Sequence, residues 1–300
     1  MRNILIAVLT LIITIVASSC SSRKAGTPEK SVIVSILPQK YLIDKLTGGK
    51  VKCEVMIPPG GNHETFEPSP RDMTRVAGAS AYFTIGALDF EKAWVEKVTA
   101  VNPDLKIVNT SQGIILIEGH EHHGDEADNH SVDPHTWFSP SAVKIQAKQM
   151  CDALCMVFTS DSADFRRNLA GFIREADSAD SLIKETLKPY EGRTFLIFHP
   201  ALAYFARDYG LKQESIEFEG KEPSPVHMRE IIDMAKANGI KAIFVSREFD
   251  TRHAETIAAQ LGGSLVTFDP MAYNWTENIL SIARLMAGSF GQQPNEKPSK

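Results

Sequence analysis

Four residues that could bind a metal ion lie where strand patterns end. His199 directly follows TFLIF and Asp269 directly follows SLVTF. His63 follows VKCEVMI and the turn PPGGN, and His135 stands in SVDPHTWFSP. In open parallel sheets, ligands bind just beyond the carboxyl ends of the strands. Three imidazoles and one carboxylate suit tetrahedral zinc, so the pattern predicts one metal site built by these four residues.

The backbone beside these candidate ligands is stiff. Proline follows His199 and Asp269 and precedes His135, and proline fixes φ. Two glycines before His63 let the chain turn sharply there. Ligands that are held in place before the ion arrives lower the ordering cost of binding it.

A histidine-rich segment precedes His135. The run GHEHHGDEADNHSVDPH, residues 119–135, contains five of the nine histidines among acidic residues. This composition is typical of a mobile tract that attracts metal weakly. We therefore assign His135 to the site and expect the other four to form a metal-collecting loop or inert solvated surface. Those four are His120, His122, His123 and His130.

The elements that must position these residues alternate between strand and helix patterns. Such alternation predicts βα units and largely parallel sheets with helices on both faces. The predicted strands are 31–36, 51–57, 81–85, 105–109, 194–198, 241–246 and 264–268. The predicted helices are 38–47, 70–78, 141–158, 225–238, 251–261 and 275–289.

One segment breaks this alternation. From Ser162 to Lys188 the chain lacks proline and keeps apolar residues at helical spacing. It predicts a helix about 40 Å long that ends at Pro189 and connects two halves. The expected fold class is thus α/β, with two lobes of mainly parallel sheet joined by one long helix. The lobes span 31–160 and 189–290, and the connecting helix spans 161–188.

The first residues resemble a bacterial lipoprotein signal. An apolar run from Ile4 to Ala17 is shorter than the roughly 20 residues of a bilayer span, and small residues and Cys20 follow it. We expect a signal peptide over 1–19, a lipid on Cys20 and a tether up to residue 30. A plain cleaved signal is the alternative. The polar tail over 291–300 is expected to be disordered.

Charge and cysteine usage exclude some classes of function. The formal net charge is −5 without a basic block, which argues against nucleic acid as a partner. No C-x-x-C pair is present to indicate a zinc ribbon or a redox site. Cys53, Cys151 and Cys155 are therefore expected to be incidental or buried thiols.

Several motifs together resemble one known family. The resemblance is to the metal-specific solute-binding proteins of ABC importers, the zinc and manganese family. It covers essentially the whole chain after the signal, in order. The motifs that carry it are IPPGGNHETFEPSPRD (57–72), DPHTWFSP (133–140), FHPALAYFARDYGL (198–211), EGKEPSP (219–225) and FDPMA (268–272).

The resemblance implies two α/β lobes with a metal in the cleft between them. It assigns the ligands to His63, His135, His199 and Asp269, although water or another carboxylate completes the site in some zinc-type members. It also implies a monomeric, membrane-anchored protein at the cell envelope that passes its metal to an ABC importer permease.

Zinc is the expected metal and manganese the alternative. Manganese-type members usually carry a carboxylate where this chain has His199, and nitrogen favours zinc over the harder Mn²⁺. A secreted zinc hydrolase is the alternative from another class. The run HETFE lacks the second histidine of H-E-x-x-H, and four protein ligands would leave no open position for water. We therefore expect a binding protein and not an enzyme.

Overall fold

The structure is a computed structural model that describes residues 30–119, 132–217, 224–248 and 251–291. Two four-stranded sheets form its framework, and both belong to one compact unit that begins at Ser31. The predicted fold class, with two parallel α/β lobes joined by a long helix, is confirmed. Cys20 and the four histidines between 120 and 130 lie outside the described residues.

The first sheet belongs to the N-terminal lobe. Its strands are all parallel, in the order β2-β1-β3-β4, so their carboxyl ends share one edge. The strands are β1 (Ser31–Val34), β2 (Lys52–Val55), β3 (Ala81–Thr84) and β4 (Lys106–Asn109). The helices of this lobe are α1 (Leu37–Thr47), α2 (Pro70–Val76), α3 (Asp89–Val101) and α4 (Pro140–Val157).

The second sheet repeats this arrangement in the C-terminal lobe, in the order β6-β5-β7-β8, again all parallel. Its strands are β5 (Thr194–Ile197), β6 (Lys212–Ser215), β7 (Ala242–Ser246) and β8 (Ser264–Phe268). Its helices are α6 (Ala203–Asp208), α7 (Pro225–Ala237), α8 (Arg252–Leu261) and α9 (Trp275–Gly291). Gly291, which the sequence placed in the tail, is thus the last residue of α9.

Strand β6 was not predicted. Its residues, Lys-Gln-Glu-Ser, include no apolar side chain, so it lacks the apolar pattern by which the other strands were predicted. It lies at the edge of its sheet, where a polar strand is tolerated. Helices α3 and α6 were also absent from the predicted set. The predicted helices, by contrast, agree with the observed bounds to within two residues at each end.

The connecting helix is α5 (Ser162–Leu187). A 3₁₀ turn over Lys188–Tyr190 follows it, as expected from Pro189. One stripe of the helix is buried, and the opposite face is polar and exposed, as in an amphipathic helix that covers a core. The buried residues are Phe165, Phe172, Ala176, Ala179, Ile183 and Leu187.

Two buried tryptophans join the lobes behind the candidate ligands. Trp137 donates its indole N–H to the carbonyl of Pro270 at 2.9 Å, and Trp275 donates to the carbonyl of Trp137 at 2.7 Å. Each buried indole N–H is therefore satisfied across the lobe boundary. These bonds hold the segment after His135 against the loop after β8.

A cluster of polar side chains around Glu175 also connects the two lobes. Glu175 of α5 accepts hydrogen bonds from Tyr41 and Lys45 of α1 and from Thr276 of α9, all at 2.7 Å. The three helices come from the first lobe, the connector and the second lobe. Within the described ranges, no helix combines the length and apolarity needed to cross a membrane. Cys53, Cys151 and Cys155 are buried free thiols, as expected.

The connecting helix yields the first prediction. Phe172 is 2 % exposed and meets the rings of Tyr41 and Trp275 at centroid distances of 6.5 and 5.9 Å. We expect Phe172→Ala to lower the free energy of unfolding by about 3–5 kcal/mol, because it leaves a cavity where three helices meet. Urea unfolding followed by circular dichroism measures this loss.

Leu182 on the same helix is the matched control. Its side chain is 52 % exposed, so Leu182→Ala should change the free energy of unfolding by no more than about 0.5 kcal/mol. Equal losses in the two variants would show that the buried stripe of α5 does not stabilise the fold as argued.

Candidate metal centre

His63 lies in the loop that follows β2. The turn before it contains Gly60 at φ 77°, a conformation that glycine adopts readily and other residues rarely do. A Cβ on Gly61 would lie 2.9 Å from Cγ2 of Ile57, so this turn is closely packed as well. The turn reverses the chain and buries the His63 ring, which is 2 % exposed.

His135 is held by its own short loop. Asp133 accepts hydrogen bonds from both the backbone N–H of His135, at 2.8 Å, and ring atom Nδ1, at 2.7 Å. A carboxylate at Nδ1 assigns the ring proton to that nitrogen and leaves Nε2 with a free lone pair. Pro134 fixes the backbone between them. The ring is therefore fixed in orientation and in tautomer.

His199 follows β5 and is oriented by a residue from β6's loop. Its Nδ1 lies 2.8 Å from Oε2 of Glu217, two residues beyond the last residue of β6. Because β5 and β6 are parallel neighbours, their following loops meet at one edge of the sheet. Glu217 accepts the ring proton at Nδ1, so Nε2 is the nitrogen that faces His135 and can bind a cation.

The three imidazoles converge. Nε2 of His135 lies 3.0 Å from Nε2 of His63 and 3.4 Å from Nε2 of His199. All three side chains are buried, and their ligand atoms lie within 4.8 Å of one another. Two nitrogens bound to one tetrahedral zinc at about 2.0–2.1 Å lie roughly 3.3 Å apart. The observed spacing thus fits a shared ion.

Converging lone pairs need a proton or a cation between them. The nitrogens of His135 and His199 that face each other are both acceptors when Nδ1 carries the proton, and both side chains are buried. Protons can fill this role without metal, since His63 can donate its Nε2 proton to His135 at 3.0 Å. A divalent ion between the rings replaces those protons.

The pKa values of two ligands move in opposite directions. Burial, followed by the nearby rings of His135 and His199, holds the pKa of His63 well below its usual range, so His63 stays neutral. Burial also acts to lower the pKa of His199, but the hydrogen bond that His199 donates to Glu217 and the charge of Glu64 outweigh it and raise that pKa. Of His63 and His199, His199 is therefore the side chain that binds a proton more strongly.

Carboxylates line the His199 side of the site. Oε1 of Glu64 lies 3.4 Å from Nε2 of His199, and Glu64, His199 and Glu217 form a second group of potential ligands within 4.8 Å. Burial raises the pKa of Glu248 to about 7, and the charges of Asp269 and Glu64 act in the same direction. Sequence analysis assigned none of these carboxylates a role, although Glu64 directly follows His63 and Glu248 closely follows β7.

Asp269 does not join the histidines. Neither group of potential ligands includes it, and its Oδ1 accepts the backbone N–H of Met271 at 2.9 Å. It lies directly after β8, as expected, but its side chain caps the turn of its own loop. The structure thus brings together His63, His135 and His199 of the four predicted ligands. His227 and His253 belong to neither group.

Fold and site together define a two-lobed α/β binding protein with a nitrogen-rich cation site at its centre. Residues 32–286 match the model of a family described as zinc-uptake complex component A, periplasmic, and the chain belongs to this family. The family consists of solute-binding proteins of metal importers. The expectation of a binding protein rather than an enzyme is therefore confirmed, and the hydrolase alternative is not supported.

Individual relatives agree with this membership. The chain is 25 % identical over 264 residues to the zinc-binding lipoprotein AdcA of Streptococcus pneumoniae, covering 84 % of this chain but only 52 % of AdcA. It thus spans about half the length of that relative. It is 24 % identical over 262 residues to the high-affinity zinc uptake system protein ZnuA of Bacillus subtilis, covering 83 % of this chain and 82 % of ZnuA.

A solved structure is also similar. A ZnuA deletion mutant crystallised with zinc bound superimposes with a TM-score of 0.81 at 35 % identity. The match covers 88 % of this chain and 99 % of that one. The fold and the order of its elements are therefore those of ZnuA-type binding proteins.

The site predicts a specific dependence of metal affinity on pH. Because the pKa of His199 is raised, a proton competes with metal at a higher pH than at an ordinary histidine. Zinc affinity should fall about tenfold for each pH unit below that pKa, from this group alone. In Glu217→Gln, the amide oxygen still accepts the Nδ1 proton but carries no charge, so the fall should begin at a lower pH.

Zinc titration against a competing chelator at several pH values measures both curves. The matched control is Glu230→Gln, because Glu230 lies 3.9 Å from His227 on α7, outside the site. Coincident curves for the wild type and Glu217→Gln would show that Glu217 does not set the protonation of His199.

Proposed function

We propose that this protein captures a zinc ion between its lobes with His63, His135 and His199, and delivers it to the permease of an ABC importer. The observation that carries the proposal is the convergence of the three buried Nε2 atoms at 3.0 and 3.4 Å. Two of these rings have their protons placed on the far nitrogen by carboxylates, so their Nε2 atoms point toward the shared centre. Such a site is prepared for a metal before the metal arrives.

Zinc is proposed over manganese because of the donor atoms. Three imidazole nitrogens suit zinc, whereas Mn²⁺ favours oxygen ligands. The relatives AdcA and ZnuA carry zinc in their names, which agrees with this choice. Manganese is the second candidate, because Glu64 places a carboxylate oxygen 3.4 Å from Nε2 of His199.

Location at the membrane is part of the same proposal. A lipid on Cys20 would hold the protein at the cell envelope, and residues up to 30 would act as a tether to the lobes over 31–160 and 189–290. The relative AdcA of Streptococcus pneumoniae is named a lipoprotein, which supports the anchor. The protein would then act as a monomer beside its permease.

Removing each ligand should weaken zinc binding. In His63→Ala, His135→Ala or His199→Ala, the zinc Kd should rise by more than about 100-fold, because loss of a direct ligand costs more than loss of an outer partner. Competition with a chelating dye measures Kd, and manganese added as competitor tests the choice of metal. His227→Ala is the control and should leave Kd unchanged, since His227 lies on α7 outside the site.

Unchanged affinity in any of the three ligand variants would remove that residue from the site. Tighter binding of manganese than of zinc by the wild type would favour the second candidate.

The histidine-rich segment should be dispensable for the tightest site. Glu118 and Val132 form an antiparallel bridge, and Tyr204 bonds the backbone at Ile117 and Asp133. Deleting residues 120–130 would leave Gly119-Ser131 as a two-residue connection, a length and a sequence that suit a tight hairpin turn.

We therefore expect this deletion to change the tightest zinc Kd by no more than a few-fold, while uptake of additional, weakly bound zinc decreases. Isothermal titration of the metal-free protein separates the two classes of site. Loss of the tight class of zinc site in the deletion variant would show that a ligand lies within the deleted segment.

A further inference from the structure

We propose that Tyr204 positions His135 for metal binding, through hydrogen bonds that fix Asp133 against helix α6 of the other lobe. This inference rests on the proposed function, because it concerns the same zinc ion. Tyr204 is in this role a positioning residue and not a ligand, since its hydroxyl bonds the backbone of Asp133 and acts on His135 through that residue.

Tyr204 lies on α6, in the segment that follows His199. Its side chain is 0 % exposed. Burial raises the pKa of Tyr204 to about 12, so the hydroxyl keeps its proton and can donate it. The chain between His199 and Tyr204 is held by two bonds of 2.8 Å, from the N–H of Ala201 to the carbonyl of His199 and from the N–H of Leu202 to the side-chain oxygen of Gln213. The hydroxyl of Tyr204 therefore has a fixed position relative to His199.

Three hydrogen bonds close a ring between Tyr204, Ile117 and Asp133. Tyr204 donates its O–H to the carbonyl of Asp133 at 2.8 Å, and its oxygen accepts the N–H of Ile117 at 3.1 Å. Asp133 donates its N–H to the carbonyl of Ile117 at 3.0 Å. Each member both donates and accepts, so the three bonds strengthen one another. Ile117 and Asp133 belong to the N-terminal lobe and Tyr204 to the C-terminal lobe, so the ring crosses the lobe boundary.

Asp133 connects this ring to the metal site. Its backbone N–H and carbonyl are held by the ring, while its carboxylate accepts the N–H of His135 at 2.8 Å and contacts Nδ1 of the same residue at 2.7 Å. Nε2 of His135 lies 3.4 Å from Nε2 of His199. Tyr204 is thus connected to both imidazoles, to one through Asp133 and to the other through its own segment. Because metal–ligand distances are defined to within about 0.2 Å, a small shift of Asp133 would weaken the site.

Tyr209 offers a matched comparison on the same segment. It directly follows α6, it is 7 % exposed, and its hydroxyl donates to Oδ1 of Asp180 at 3.0 Å. Like Tyr204, it is a buried tyrosine whose hydroxyl reaches another part of the fold. Its bond leads to the connecting helix α5, whereas the bonds of Tyr204 lead to the segment that carries His135.

Tyr204→Phe tests the role of the hydroxyl, because it keeps the ring that fills the core. We expect the zinc Kd to rise about three- to tenfold, less than the 10–100-fold that follows from loss of a partner in direct contact with a ligand. Tyr209→Phe is the control and should leave the zinc Kd within about twofold of the wild type. Chelator competition on the full chain measures Kd, and circular dichroism checks that each variant is folded.

A double-mutant cycle with Asp133→Ala separates positioning from general stabilisation. Asp133→Ala should raise the zinc Kd about 10–100-fold, because it removes the carboxylate that holds His135. If Tyr204 acts through that carboxylate, adding Tyr204→Phe to Asp133→Ala should raise Kd by no more than about a further twofold. A hydroxyl that only stabilises the fold would change Kd by the same factor in both backgrounds.

The outcomes distinguish this inference from the proposed function. If the wild type does not bind zinc, the proposed function fails. If the wild type binds zinc and Tyr204→Phe has the same Kd, only the role of Tyr204 fails. That role is also overturned if Tyr209→Phe raises Kd as much as Tyr204→Phe, or if Tyr204→Phe has its full effect in the Asp133→Ala background. Loss of the folded state in Tyr204→Phe would overturn it too, because the hydroxyl would then hold the fold as a whole.

Discussion

The convergence of three buried imidazoles is the constraint on which the rest of the structure depends. Lone pairs of buried nitrogens that face one another at this distance are unfavourable unless a proton or a cation lies between them. Each ring comes from a different loop, so the chain must hold three loops from two lobes against this repulsion. The parallel sheets do so by ending their strands at shared edges, and the buried tryptophans hold the lobes together.

Two carboxylates that contact Nδ1 atoms determine the orientation and the tautomer of two of the imidazoles. Asp133 and Glu217 hold the protons of His135 and His199 on the nitrogens that face away from the centre, so the inward nitrogens are ready to bind a cation. Among the described residues, His63 has no such partner, and its Nδ1 is buried without a hydrogen bond to any of them. Its low pKa keeps it neutral instead. Proton and metal therefore compete for the same place, and Glu217 makes His199 the stronger base of the pair His63 and His199.

The arrangement has an uneven charge that bears on the choice of metal. Three imidazoles converge at the centre, and the carboxylate of Glu64 lies 3.4 Å from Nε2 of His199. Nitrogen donors favour a borderline ion such as zinc over the harder Mn²⁺. The long helix and the cluster around Glu175 connect the two lobes away from this centre, which suits a protein that holds an ion firmly with small movement of its halves.

The sequence by itself determined the α/β alternation and the connecting helix, because each is a local pattern of apolar periodicity, and it singled out the three histidines that the structure brings together. It could not determine which side chains meet. Glu217 reaches His199 only because the polar edge strand β6 pairs with β5. The sequence of β6 contains no apolar pattern from which the strand could be predicted. Asp269 also follows a strand, but the orientation of its side chain depends on the turn at Met271. The tertiary structure alone decided these contacts, since they join loops that the chain separates widely.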